Sequence, residues 1–511
     1  MTGQGVAAPT RRWAATFVVC SGIFLLGMDF TVLNVAVPDL QRDLRPSMAQ
    51  VQWIVDGYAL VLGGMVLATG AITDHIGRRR SFVAGLAVCG ATAAWGALAH
   101  QPWQLIAARG GMGAGAALLM PATLSIVTTL FPEPALRRRA IALWTATAGV
   151  GGMTGPVIGG WLVERFSWQA GFWITVPLAV VGIVAALLVV PESRAPRGHR
   201  VDVLGVVLSA LGLLALVWAI IESPVRGWTS AEVLTAYATA AVLLTAFAVW
   251  QSRGRHPMLP LPLLRRPRVG VSALALALMS FGLYGALFLI TLHLQGVLGY
   301  SPWQAGLRTF PMAVALAVGA GAALPLLARH GEKVPMVAGL GLVTAAFMVL
   351  AGVETGSGYP HVLLFQLVAG FGAGMVAAAG TDTVMGAVPP DRTALGSSIN
   401  DATRQVGATL GVAVQGSILT AVSTARLHEL PELAGQPAGH TVLDALSLTA
   451  RLPDTVRDHY QDIAREAFID GMTTAAITAA AVTLAAAVLV AVRLPSAAAK
   501  PSYTRSSGRC G

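Results

Sequence analysis

The stretch that decides the fold reads Met28-Asp29-Phe30-Thr31-Val32-Leu33-Asn34-Val35-Ala36-Val37-Pro38. It closes an apolar run that begins at Trp13, directly after Arg11 and Arg12. A helix crosses a bilayer with roughly 20 mostly apolar residues, and this run is long enough. It has no convincing small-residue cleavage site, so it reads as a retained first span and not as a signal peptide. A carboxylate at the centre of such a helix costs about 2.5–3.5 kcal/mol on the insertion scale. Asp29 therefore needs a reason to be there.

The rest of the chain has the same character. Of 511 residues, 55% are hydrophobic and only 11% charged, against about 25% charged in an ordinary soluble domain. Mean hydropathy is +0.68, which excludes a disordered chain and argues against a soluble one. The net charge of +10 comes with 32 arginines and two lysines, Lys333 and Lys500. Neither lysine follows glycine, so there is no Walker-type phosphate loop. Cys20, Cys89 and Cys510 make no disulfide framework or zinc spacing. No HExxH or GxSxG motif occurs, so neither an enzyme nor a metal site is expected.

Working outward, fourteen apolar runs are candidate spans. The first six are 13–37, 51–72, 81–99, 103–130, 140–163 and 171–190. Two follow at 203–221 and 231–250, and six more at 269–292, 303–328, 334–353, 360–388, 394–422 and 471–494. The expectation is an all-α membrane protein with fourteen helices arranged 6+2+6. Residues 1–195 form one six-helix bundle, 196–262 two linking helices, and 263–511 a second bundle with an extracytoplasmic loop at 423–470. Placing both termini in the cytoplasm puts 23 basic residues inside and nine outside, with Arg109 and Arg404 within spans. That asymmetry follows the positive-inside rule. The arginines then serve topology and anionic lipid, not nucleic acid. The loop reads as a solvated segment with a short amphipathic helix or two.

Two loops hint at a repeat. Gly70-Ala-Ile-Thr-Asp74-His-Ile-Gly77-Arg78-Arg79-Arg80 follows the second run, and Leu326-Leu-Ala-Arg329-His-Gly331-Glu-Lys333 follows the tenth. Parallel halves of this kind build the central cavity of large transporters.

These motifs, in this order, resemble the major facilitator superfamily, in particular its fourteen-span drug:proton antiporters. The 28–38 stretch is similar to the family's L-D-x-T-V-x-N-V-A-x-P signature. The Gly70–Arg80 segment resembles its G-x-L-x-D-R-x-G-R-R loop, with Ile72 and His75 as departures. Arg109-Gly-Gly-Met112-Gly113-Ala-Gly115 resembles R-x-x-Q-G-x-G, with Met112 in place of glutamine. Gly151, Gly155, Pro156, Gly159 and Gly160 match the antiporter motif, and Asn400-Asp-Ala-Thr-Arg404-Gln405-Val-Gly407 looks like N-x-x-R-Q-x-G. Trp53-Ile-Val-Asp56-Gly-Tyr58 looks like the antiseptic-exporting branch. Thr175 stands where the family often has asparagine before Val-Pro. The resemblance implies that Gly70, Asp74, Gly77 and Arg78 latch an inner gate. It implies that the glycine face of the antiporter motif seals against proton leak. For Arg79 and Arg80 a pure topology role stands beside gating.

Six charges within spans are the candidate coupling residues. Asp29, Asp56 and Arg109 share the outer half of the first bundle; Asp382, Asp401 and Arg404 share the inner half of the second. Asp401 and Arg404 are three apart, which predicts a structural ion pair. Asp382, near a helix end, is either functional or simply hydrated. His293 reads as a polar residue at a span end. Trp53, Tyr58, Phe281, Tyr284 and Phe288 offer aromatic faces to a cation, or core packing.

A carboxylate in a partly dry cavity can hold a proton near neutral pH. A lipophilic cation in the same cavity would expel that proton, coupling drug exit to proton uptake without ATP or any cofactor. One charge crossing 100 mV is worth about 2.3 kcal/mol. The expected function is a proton-coupled exporter of amphipathic, cationic drugs or antibiotics in a bacterial plasma membrane. A monomer is expected, with substrate, protons and lipid as its partners. The near alternative is a dedicated exporter for one secondary-metabolite antibiotic; a membrane sensor is a further reading.

Overall fold

The computed structural model describes residues 9–131, 133–194, 202–254, 261–387, 393–428 and 454–495. Among these residues every regular element is a helix. The first part holds α1 (Pro9–Leu44), α2 (Met48–Ile76), α3 (Arg78–Ala97), α4 (Pro102–Leu130), α5 (Pro134–Arg165), a single turn α6 (Ala170–Trp173) and α7 (Thr175–Val189). Next come α8 (Val203–Arg226), α9 (Ala231–Arg253) and the turn α10 (Leu261–Leu264). The last part holds α11 (Pro267–Leu292), α12 (Pro302–His330), α13 (Lys333–Ala351), α14 (Tyr359–Gly386), α15 (Thr393–His428) and α16 (Asp454–Arg493). A π-turn at His293–Val297 extends α11. Helices α15 and α16 reach beyond their expected spans into the 423–470 segment, of which 429–453 lie outside the described residues.

Among the described residues, twelve helical stretches are long and apolar enough to cross a membrane. The two expected spans outside that count are α2 and α3, on either side of Gly77. Helix α3 opens on three arginines, which shorten its apolar run, whereas α2 runs apolar from Ile54 to Ala68 with Asp56 as its one charge there.

The repeat hinted at by the two loops extends to whole helices. Both α2 and α12 are 29 residues long. Each starts with a Ser-x-x-Gln capping box, Ser47 with Gln50 and Ser301 with Gln304, which satisfies backbone donors at the helix start. Each ends on a glycine at positive φ, Gly77 at 117° and Gly331 at 73°. Only glycine adopts these conformations readily.

Buried apolar side chains form two large cores. One joins α1–α7, with Phe82, Leu119 and Phe131 among its members. The other joins α11–α16 around Phe288, Phe347 and Phe365. A small third cluster links α8 to α2 and α15 through Leu60, Val217, Ile221 and Ala413.

The two halves meet on the side where α12 begins. Gly160 and Gly306 let α5 and α12 touch backbone to backbone, Gly160 against the Pro302 carbonyl and Gly306 against the Pro156 carbonyl. Trp303 N donates to Glu164 Oε2 at 3.1 Å, and Gln295 Nε2 donates to the Val35 carbonyl at 3.0 Å. Phe30 and Tyr284 meet edge to face at 5.0 Å. Toward the other end of α5, Gly149 and Gly152 face open space.

Candidate functional site

The site is built on the face of α1 that looks into the first core. Asp29 is 1% exposed and Arg109, from α4, 2%. Their contact is not the ion pair that two such charges suggest. Arg109 Nη1 donates to the main-chain carbonyl of Asp29 at 3.2 Å, and its Nε to the carbonyl of Ile54, also at 3.2 Å. The guanidinium lies 4.6 Å from the Tyr58 ring centroid, a cation–π contact. Arg109 thus ties α4 to both α1 and α2. Gly113, one turn on, lets α4 sit against the Tyr58 carbonyl.

The Asp29 carboxylate is held from elsewhere. Thr175 Oγ1 donates to Asp29 Oδ1 at 2.7 Å. Thr175 is fully buried at the start of α7, just after the short α6 turn. Asp29 Oδ2 has no hydrogen-bond partner among the described residues. An unsatisfied carboxylate oxygen in such a place is costly, and it is the natural atom to carry a proton.

The antiporter-motif glycines press α5 onto this same helix. Gly151 lies against the Phe24 carbonyl, Gly155 against the Met28 carbonyl and Thr31, and Gly159 against Val32. Thr31 Oγ1 reaches the Gly152 carbonyl at 3.2 Å. The next face of α5, about 100° round the helix, presents Pro156 and Gly160 to α12. One helix therefore touches both the Asp29 helix and the second half of the chain.

Asp56 is also 1% exposed with Oδ2 unpartnered among the described residues, but it lies apart from Asp29. Successive helical residues turn about 100°, so Asp56 and Tyr58 lie about 200° apart around α2. Tyr58 faces α4. Asp56 shares a stripe with Gln52, which lies against Gly416 of α15, and with Gly63, which lies against Gln405 of α15. The expected trio is thus one pair plus an aspartate at the seam between the halves.

Among the described residues, Asp382, Asp401 and Arg404 do not form a site comparable to that around Asp29. Asp382 is exposed, and Asp401 and Arg404 are half-buried. Among the described residues no ion pair joins Asp401 to Arg404; Asp401 Oδ1 accepts from Asn400 Nδ2 at 3.3 Å. Three-residue spacing places two side chains on neighbouring faces without obliging them to meet. Asn400 Oδ1 in turn accepts from Thr381 at 3.0 Å, tying α14 to α15.

In the loop after α2, Gly70 lies near Ser398, and a Cβ on Gly77 would strike Glu192. The Asp74 side chain lies outside the described residues. Arg78 N donates to the Ser193 carbonyl, its side chain reaches Thr129, and Arg79 N donates to Glu192 Oε1 at 3.2 Å. These contacts tie the loop to α4 and to the segment after α7, within the first half. In the second half the matching loop supplies the acid: Glu332 accepts from Arg268 at 2.5 Å.

Among the aromatic candidates, Tyr58 and Tyr284 flank Phe30, at 5.8 and 5.0 Å between ring centroids. Trp53 packs against the α8 cluster, Phe281 is buried on α11, and Phe288 sits within the second core. His293 is buried and stacks on Phe468 at 6.1 Å. Sequence reading selected neither Phe30, which bridges the halves, nor Thr175, which holds Asp29. The signal for Thr175 was its departure from the family pattern; Phe30 carried none.

This fold and these motifs have relatives. Residues 19–412 match the Major Facilitator Superfamily, and the chain belongs to that family. It is 34% identical over 480 residues to the multidrug efflux pump LfrA of Mycolicibacterium smegmatis, covering 93% of this chain and 95% of that protein. It is 31% identical over 410 residues to the tetracenomycin C resistance and export protein of Streptomyces glaucescens, covering 80% of this chain and 76% of the relative. In fold it is similar to a bacterial homolog of the human lysosomal transporter Spinster, solved inward-facing and unoccupied. That match has a TM-score of 0.67 at 17% identity and covers 95% of this chain and 98% of the other. The chain is a multi-pass membrane protein with the major facilitator fold.

Proposed function

We propose that the chain is a proton-coupled exporter of amphipathic, cationic drugs or antibiotics. The observation that carries this is Asp29: a fully buried carboxylate with one oxygen fixed by Thr175 and the other unpartnered, beside a buried arginine. A proton on Oδ2 neutralises the site, and a cation in the adjoining space favours the charged form and releases that proton. Arg109, bound to main-chain carbonyls, holds the surrounding helices while its charge stays near. The efflux proteins among its relatives support the substrate class.

Fourteen helices arranged 6+2+6 fit the two cores and the α8 cluster between the halves. In this reading 1–195 and 263–511 are the two rocking bundles and 196–262 the linking pair. Both termini are cytoplasmic in a bacterial plasma membrane, as the arginine distribution suggests. The end where α12 begins then faces outward. Asp56 at the α2–α15 seam senses opening of the bundles, with Asp401, Arg404 and Asp382 on the inner side of the second bundle. The proton gradient is the energy source, and no cofactor is invoked.

A dedicated exporter for one antibiotic is the second reading, favoured by the likeness to the tetracenomycin C protein. Expression in a pump-deficient host, challenged with a panel of cationic antiseptics, dyes and antibiotics, tests both. Resistance across the panel supports the broad pump, resistance to one antibiotic supports the dedicated one, and resistance to none contradicts both.

A further inference from the structure

Asp29 is not sealed on every side. A small, water-sized cavity lies beside it, lined by Asp29, Arg109, Leu33, Gly171, Trp168 and Phe172 among others. Arg109 bonds the Asp29 carbonyl, while Trp168 bonds Asp43, farther along α1, which sets the aromatic rings toward the other end. All of its lining residues belong to the first half of the chain, between α1, α4 and the α5–α7 connection. It therefore does not depend on the seam between the halves, which is shut at this same end by Gly160 on Pro302 and Gly306 on Pro156.

The far mouth is capped by aromatic rings. Trp168 and Phe172 are each 3% exposed and meet edge to face at 6.0 Å. Trp168 Nε1 donates to Asp43 Oδ2 at 2.8 Å, and Asp43 is exposed at the end of α1. Between this cap and Asp29 the wall is apolar. Apolar constrictions empty and fill with water as units, and so gate conduction by dewetting.

We propose that this cavity is a proton passage private to the first bundle. It delivers protons from the Trp168 end to Asp29 while the two halves stay closed against each other at that end. A hydronium ion in the passage gives a proton to Asp29 Oδ2: one of its O–H bonds breaks, the carboxyl O–H forms and a neutral water remains. When a cation later occupies the space between the bundles, the carboxyl O–H breaks and the proton leaves on a water to the opposite side. The apolar stretch stays dry except during transfer, which limits leak. Drug and proton thus approach Asp29 by different routes. This inference rests on Asp29 as the proton carrier.

Gly171, which lines the cavity, gives a direct test. A Cβ there meets only Val32 at 3.6 Å, an ordinary contact, so a side chain can begin at this position without striking backbone. In proteoliposomes with an imposed pH gradient, Gly171→Leu should slow drug-driven proton movement about tenfold, equivalent to about 1.4 kcal/mol on the barrier. Cation binding by the purified variant reports folding. As a second arm, Phe172→Ala opens the cap and should raise proton leak without drug several-fold, and adding Asp29→Asn should abolish that leak. Wild-type proton rates in a folded Gly171→Leu protein overturn the proposal. If that variant does not fold, an absent or Asp29-independent leak in Phe172→Ala overturns it. Retained coupling in Asp29→Asn alone would instead remove the carrier assignment. Uncoupling in Asp29→Asn with wild-type rates in Gly171→Leu would remove only the passage.

Discussion

Thr175 Oγ1 donates to Asp29 Oδ1 at 2.7 Å, from the first residue of α7 to the middle of α1. This is the one side-chain hydrogen bond that fixes the carboxylate among the described residues. Removing it with Thr175→Val leaves both Asp29 oxygens buried without a donor, a penalty of about 1–3 kcal/mol. Thr175→Val should reduce drug-driven proton exchange, and Thr175→Ser should restore most of it. Transport rates and detergent melting temperatures of the two variants, measured side by side, check this.

Arg109 acts through geometry as much as charge. Its guanidinium serves two main-chain carbonyls on different helices and rests on the Tyr58 ring. A lysine ammonium cannot reproduce that planar fork. Arg109→Lys should keep the positive charge yet lower the thermal midpoint and cut transport strongly. Wild-type behaviour of Arg109→Lys would show that charge alone suffices.

The close approach of α5 to α1 tolerates no extra atom at Gly155. A Cβ there meets the Met28 carbonyl at 2.9 Å and collides with Thr31. Overpacking of this kind costs about 1–3 kcal/mol. Gly155→Ala should therefore lower the melting temperature, whereas Gly149→Ala, in open space, should not. Thermal melts of both proteins in one detergent make the comparison.

On the neighbouring face of α5, Gly306 closes the seam between the halves against the Pro156 carbonyl. Gly306→Val should hold α5 and α12 apart at that end. Spin labels placed at residues 164 and 303, whose groups meet in the closed seam at 3.1 Å, should then report a longer distance than without the substitution.

Much of this arrangement was legible in the sequence because charge inside an apolar run is rare. Asp29 and Arg109 stood out for that reason, and the structure brings them together. What they do to each other was not legible, because main-chain carbonyls leave no mark in a sequence. Asp56 was grouped with them by depth, yet its position two residues from Tyr58 already turns it to the opposite face of α2. The Asp401–Arg404 spacing suggested a pair that is not found among the ion pairs of the described residues. Twelve of the fourteen expected spans coincide with helices long and apolar enough to cross a membrane among the described residues. The repeat was visible in two loops, and the matched capping boxes at Ser47 and Ser301 were present in the same sequence unremarked.

The most direct measurement is drug-driven proton movement in proteoliposomes holding a preformed pH gradient. Adding a transported cation should collapse the gradient with the unaltered protein. Asp29→Glu should retain part of the response, and Asp29→Asn should bind the cation yet leave the gradient intact. A gradient that still collapses with Asp29→Asn would contradict the role given to this carboxylate.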